Sequence, residues 1–262
     1  MTMSDSPFVL RDDRDGISTL TLNRGERFNP LSAGMIAALI ETLDGLARDP
    51  SVRVVIVRGG GRGFCAGHDL KEMQANRSEA WFKAMFDSCS DLMLRITQLP
   101  QPVIAQVHGI ATAAGCQLTA MCDLAVAASD AKFALPGVNV GLFCSTPAVG
   151  VVRNIGRKRV MEMLLTGEPI SADTALEWGL VNRVVPADRL EAETRHLAER
   201  IASKSAAVVA MGKQAFYQQI DKSLAGAYGL TGETMTCNMQ LDDNAEGIDA
   251  FLSKRHPEWR HR

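Results

Sequence analysis

Three short apolar runs limit what this chain can become more than any other feature. They are residues 54–57 (VVIV), 103–107 (VIAQV) and 124–127 (LAVA). A strand with one wet face alternates apolar and polar residues. Runs this continuously apolar read as strands buried on both faces. Helical patterns lie between them. Met35, Ile36, Leu39, Ile40 and Leu43 recur at helical spacing behind Pro30 and Ser32, which can open a helix. Trp81, Phe82, Met85, Phe86, Leu92, Met93 and Ile96 form a second stripe, expected to pack in the core. Strand and helix in alternation define an α/β class. Ahead of them, residues 8–10 and 17–22 flank the turn-rich residues 12–16 and read as a hairpin.

The pattern changes after about Leu190. Residues 195–220 and 224–239 look helical, with no strand candidate between them, and Asp242 or Asp243 is placed to cap a last helix through Leu252. The expected division is therefore a core over residues 1–199 and a helical region over 200–262. Met211, Phe216, Met235 and Met239 lie in that region, where exposed apolar surface would favour contacts between copies of the chain.

A net charge of -2 gives no electrostatic reason to expect nucleic acid or a membrane surface as partner. No apolar run approaches the roughly 20 residues a spanning helix needs. The first ten residues, MTMSDSPFVL, fit neither a secretory signal nor an Arg-rich transit peptide, so a cytoplasmic location is expected. The cysteines (65, 89, 116, 122, 144 and 237) form no C-x-x-C pair and no metal-ligand cluster. They are expected to be free thiols, several of them small core residues, with no metal site. No strand is followed by G-x-G-x-x-G, which sets aside a dinucleotide-binding fold.

Two segments carry the chemistry. The first, GGGRGFCAGHDLKEM (residues 59–73), is a glycine-rich loop after a buried strand. The second, VHGIATAAGCQLTAMCD (residues 107–123), runs from a strand end at Gly109 through small residues into a helix near Ala113. Glycines let backbone approach a ligand closely, and a helix start offers unpaired N–H donors. Two such donors converging on one oxygen make an oxyanion hole. Either segment alone is compatible with a plain tight turn.

Together, about 45 residues apart, they resemble the crotonase (enoyl-CoA hydratase/isomerase) superfamily. Its first pattern, F-x-A-G-x-D-[LI]-K-E-M, is met by Phe64, Ala66, Gly67, Asp69, Leu70, Lys71, Glu72 and Met73. Its second is met by Gly109, Gly115, Cys116, Leu118, Cys122 and Asp123. The stretch 161–186 also looks like the family, and PGVNVGLFCSTP (136–147) is similar to its enoyl-CoA hydratase domain-containing protein three subgroup. The resemblance implies a spiral of ββα units with a C-terminal helical oligomerisation region, assembled as trimers or pairs of trimers. It implies an acyl-CoA substrate, with coenzyme A as part of that substrate and no tightly bound cofactor.

By the same resemblance the hole donors are the N–H groups of His68 and Ala114, the latter where glycine is usual. Coenzyme A is expected at Arg27, Phe28 and Asn29, at backbone near Cys65, Ala66 and Leu70, and at Lys254 or Arg255. The two glutamates that handle water in hydratases of the family correspond to Gln117 and Gly137, neither of which exchanges a proton near pH 7. Efficient hydration by that route is therefore not expected, whereas double-bond isomerisation, which needs one base, tolerates the loss better. The alternatives are a thioester hydrolase using Ser145 or Cys144, since Ser145 falls where a dehalogenase branch places its nucleophile, and a non-catalytic acyl-CoA-binding subunit. The His68 side chain is a candidate proton carrier. Asp69 is expected to pin the loop, His108 to be structural, and Glu72 to face solvent.

Overall fold

The computed structural model describes residues 6–261, so the leader reading at residues 1–5 lies outside the described residues. The hairpin forms as expected. Strands β1 (Val9–Arg14) and β2 (Ile17–Leu22) pair antiparallel across Asp15 and Gly16, both at positive φ, the geometry a two-residue Asp-Gly turn requires. Helix α1 (Ala33–Leu46) begins where the sequence indicates: the Ser32 hydroxyl accepts the Met35 N–H.

The apolar runs become β3 (Val54–Gly59), β4 (Val103–Val107) and, after the short β5 (Ile110–Thr112), β6 (Leu124–Ala128). With β1, β2 and a late strand β9 (Arg183–Val185) they build one sheet in the order β1-β2-β3-β4-β6-β9, parallel from β2 onward. A small second sheet joins β5 to β7 (Lys132–Ala134) and β8 (Ile170–Ser171).

Alternation along β3 shows why its run is apolar throughout. Val55 and Val57 join the core beneath α1 and α3 (Glu79–Gln98), whereas Val54 and Ile56 face the other side. There they meet Leu190 and Ala198 of α8 (Leu190–Ala202). Both faces are covered, so no polar position survives. The α3 stripe packs through Met85, Cys89, Leu92, Met93 and Ile96, while Trp81, Phe82 and Phe86 near its start are only half-buried. All six cysteines are free, and five are buried.

The expected helix over 195–220 is two helices. Helix α8 ends at Ala202, and α9 (Ala206–Gln219) starts where the Ser205 hydroxyl accepts the Val208 N–H. Residues 199 and 200 both lie within α8, which packs on the sheet. Helices α10 (Leu224–Asn238) and α11 (Asp242–Leu252) follow. Asp243 does not cap α11; its carboxylate accepts the N–H groups of Arg260 and His261, folding the tail back. A buried clasp ties α9 to the core: Lys213 Nζ donates to Asp123 Oδ2 at 2.6 Å and Tyr217 donates to Asp123 Oδ1 at 2.9 Å. Asp123 Oδ2 also accepts the Val103 N–H at the start of β4.

Candidate active site

Parallel strands deliver their following loops to one edge of the sheet, and both glycine-bearing segments emerge there. The loop after β3 zips onto β5. Phe64 N–H donates to His108 O, Cys65 N–H to Ile110 O and Thr112 N–H to Cys65 O, at 2.9, 3.0 and 2.9 Å. The other flank of the loop is held from residues 28–31. The Asn29 amide donates to the carbonyls of Gly60, Gly63 and Phe64 and accepts the Arg24 N–H. Ala66 N–H donates to Phe28 O, and Leu31 N–H to Gly67 O.

Two glycines let the segments touch. A Cβ on Gly115 would lie 2.1 Å from Cys65 O, so only glycine allows α4 (Ala114–Met121) this close. Gly67 has φ +88°, and a Cβ there would lie 2.9 Å from Ala113 Cβ and 3.1 Å from Ala114 N. Backbone bond lengths then place the His68 and Ala114 nitrogens within about 7 Å of each other. Neither N–H donates to a protein acceptor among the described residues. Ala114 opens α4, so its N–H is one of the donors a helix leaves unpaired and sits at the positive end of the helix dipole. Ala113 reaches this arrangement at φ 50°, ψ -120°, a region L-residues rarely occupy.

The side chains around these two amides are quiet in acid–base terms. His68 is largely buried, its ring edge-on to Phe86 at 5.5 Å, and its Nε2 has no partner. Burial lowers its pKa to about 4, so the imidazole is neutral near pH 7 and a poor proton carrier there, contrary to the role considered for it. Gln117 is buried in α4 with its Oε1 unpartnered. Gly137 lies in the 3-10 turn Pro136–Val140, and a Cβ on it would meet Leu142 O at 2.1 Å and Cys144 Sγ at 2.8 Å. The chain has closed over the place where a carboxylate side chain would stand.

The nucleophile candidates fare no better. Burial raises the Cys144 pKa, against a weaker backbone hydrogen bond from Gly137, so the thiol stays protonated. Ser145 opens α5 (Ser145–Val151), and among the described residues its hydroxyl donates only to Phe143 O, at 3.5 Å, with no base beside it. It lines an apolar depression between α5 and α6 (Arg157–Thr166), to which neither hole segment contributes. The structure thus supplies neither residue with the activation that nucleophilic catalysis needs.

Other expectations sort by what each side chain already holds. Asp69 pins the loop: Oδ1 caps α2 (Leu70–Ala75) by accepting the N–H groups of Lys71 and Glu72, and Oδ2 pairs with Arg27 at 2.7 Å. Arg27 remains half-exposed beside the hole loop, as does Leu70. The Asn29 side chain is fully engaged within the protein, and Cys65 is buried with both backbone groups bonded, so both hold the loop in place. His108 Nε2 sits 2.9 Å from Gly61 O, a structural role. Glu72 does not face solvent freely; it accepts the Ala33 N–H at the start of α1. Arg255 is held by Glu246 and Asp249, and no bond of Lys254 or Arg255 reaches the hole segments among the described residues. Arg62, which sequence reasoning passed over, stacks on Phe28 with its guanidinium carbon 4.9 Å from the ring centre. A cation inside a glycine-rich loop was the signal for it.

This fold, with paired free amides between two strand-end loops, defines a protein of the crotonase class. The Enoyl-CoA hydratase/isomerase family description matches residues 12–262, and the chain belongs to that family. It is 47% identical to human mitochondrial enoyl-CoA hydratase domain-containing protein 3 over 94% of this chain and 82% of that one. The Xenopus laevis mitochondrial counterpart is 46% identical over 99% and 88%. A crystal structure of an enoyl-CoA hydratase from Mycobacterium smegmatis superposes with TM-score 0.95 at 55% identity, covering 97% of this chain and 99% of that one. That of human domain-containing protein 3 gives 0.94 at 46%, covering 96% and 100%. The mitochondrial relatives overturn the cytoplasmic expectation. A targeting leader is removable, so the lack of its pattern does not decide a compartment.

Proposed function

We propose that this protein binds an acyl-CoA thioester with its carbonyl oxygen between the N–H groups of His68 and Ala114, which stabilise an enolate at that oxygen. The observation that carries the reading is that both amides are unpaired while the glycine contacts press their segments together. One such donor is worth roughly 3–4 kcal/mol in a developing oxyanion. Arg27 and Arg62, flanking the loop, are suited to the coenzyme A phosphates, with Phe28 and Leu70 offering apolar surface.

Proton transfer is the weak half of this site. Gln117, Gly137, neutral His68 and protonated Cys144 provide no carboxylate or base tuned to neutral pH. Hydration by paired carboxylates is therefore excluded from the reading, leaving slow isomerase-type enolate chemistry or acyl-CoA binding alone. Titration calorimetry with butanoyl-CoA, followed by turnover assays on crotonyl-CoA and a 3-enoyl-CoA, tests this. Binding with hydration at least 10²-fold below that of a two-glutamate hydratase is expected, since each acid–base group contributes about 10²–10⁴. Rapid hydration, or no binding, would defeat it.

The same reading takes the chain to be a homotrimer or a pair of trimers. Leu224, Tyr228, Met235, Met239 and Phe251 leave a broad apolar face on α10 and α11, each more than half exposed. Light scattering of the eluted protein measures its mass directly.

A further inference from the structure

The carboxyl edge of the main sheet has two sides, and the paired amides use only one of them. Residues alternate along each strand, so Val57, Ala105 and Val107 join the core beneath α1 and α3, while Ile56 and Ile104 face α8. Two residues further on, that second face turns polar. Thr21 stands opposite Arg58, and Arg58 opposite Gln106, a row across β2, β3 and β4 with neighbours about 4.8 Å apart. A cavity of about 420 Å³ opens over this row, walled by Ala187 and Leu190 at the approach to α8. The crevice at the carboxyl ends of parallel strands is where such sheets receive small molecules.

Gln106 is the residue that asks for a ligand. It is 8% exposed, yet its side-chain amide makes no hydrogen bond to the protein among the described residues. Neither end of that amide is enclosed, so both open onto the cavity. Buried amides are almost always partnered, and one kept without a partner on an otherwise apolar face marks a place for a group from outside. Arg58 beside it is only half engaged. Its Nε donates to Thr21 Oγ1 at 2.9 Å, whereas its terminal nitrogens make only a 3.5 Å ion pair, from Nη1 to Glu191. The Glu191 side chain is 79% exposed, which makes it a weak and easily displaced partner.

The chemistry of the occupant follows from what it would meet. A guanidinium with two free terminal nitrogens presents a fork that matches a carboxylate. Gln106, one strand over, can answer a polar group on the carbon next to that carboxylate. Charge decides what that group is. Two carboxylates, Asp130 and Glu191, stand at the exposed rim, while Arg62 at the lip is stacked on Phe28. A dianionic phosphate would face both carboxylates across the cavity. A plain monoanion would leave them unanswered. An ammonium beside the carboxylate answers them, since it carries three donors for Gln106 Oε1 and the rim carboxylates.

We propose that this cavity is a second binding site, on the opposite face of the sheet from the paired amides, and that it takes a free α-amino acid. The carboxylate lies on Arg58, the ammonium against Gln106 and the rim, and the side chain towards Ala187 and Leu190. Saturation-transfer NMR titration of the full chain with L-2-aminopentanoate, L-2-hydroxypentanoate and pentanoate, three molecules of one length, tests this. The amino acid is expected to bind about five- to tenfold more tightly than the other two, the gain of a charged over a neutral hydrogen bond. Gln106→Leu is expected to weaken it about three- to tenfold. Arg58→Met is expected to abolish saturable binding; Arg58→Gln takes its place if the methionine variant shows no cooperative melting. No saturable binding of the amino acid, equal affinity for all three molecules, binding that survives the Arg58 variant, or displacement of the amino acid by butanoyl-CoA each overturns the inference. The acyl-CoA reading is tested separately by its own titration and stands or falls without this one.

Discussion

The two halves of this site are built from different materials. The proposed oxyanion hole is made of backbone: two N–H groups, held by glycine contacts and by a lattice of main-chain bonds between the loop after β3 and strand β5. The proton-transfer half is made of side chains, and in this chain they are an amide, a glycine, a neutral imidazole and a protonated thiol. A backbone device survives nearly any change of side chain that keeps its close approaches. A side-chain device is lost by single substitutions, and around Gly137 the space a side chain would need is taken by Leu142 O and Cys144 Sγ.

The sharpest way to break the backbone half is Gly67→Ala. The new methyl collides with Ala113 and the Ala114 amide at a φ of +88°, so the donors must separate. A loss of roughly 10²–10³ in acyl-CoA turnover, or of binding if turnover is absent, is expected. An unchanged affinity would show that these amides do not form the hole.

Acid should next expose the side-chain half. His68 ionises near 6.5 when unfolded and at about 4 when folded. Its folded pKa is lowered, so only the unfolded chain takes up the proton between those values. Stability is unaffected above pH 6.5, falls as pH drops towards 4, and levels off below it. The loss is about 3 kcal/mol from this group, read as the difference between denaturant curves of the protein and His68→Phe across that window.

Rebuilding the missing carboxylate at Gly137 should be opposed by its surroundings. Gly137→Glu is expected to lower stability by about 1–3 kcal/mol, because its Cβ meets a carbonyl and a sulfur with nowhere to go. Thermal melting would register this. A stable, active variant would show that the space beside Gly137 opens easily.

The smallest effect is expected at Ala113→Gly. Ala113 holds φ 50° only because its neighbours impose it, and glycine adopts that region without penalty. A gain of about 1 kcal/mol in unfolding free energy is expected, with acyl-CoA affinity retained.

Much of the backbone half was legible in the sequence because it rests on local rules. Apolar runs gave the buried strands and Ser32 gave a helix start, and the glycine motifs carried the family resemblance that pointed to the amides of His68 and Ala114. The side-chain half was legible only as substitutions. That His68 is neutral and Ser145 stands without a base depends on neighbours far away in the chain, which periodicity does not reveal. The break between α8 and α9 was missed because a single serine cap, Ser205, interrupts an otherwise helical pattern.

What the sequence determined by itself was the alternation of buried strands with helices and the glycines that allow two loops to meet. Those are constraints of short range, set by φ and by which faces must leave water. The tertiary structure alone decided which polar groups are left unpaired, which cations are already neutralised, and that the space beside Gly137 is closed. Hydrogen-bond satisfaction and burial are properties of the whole packed molecule, so no stretch of chain carries them until the others are in place.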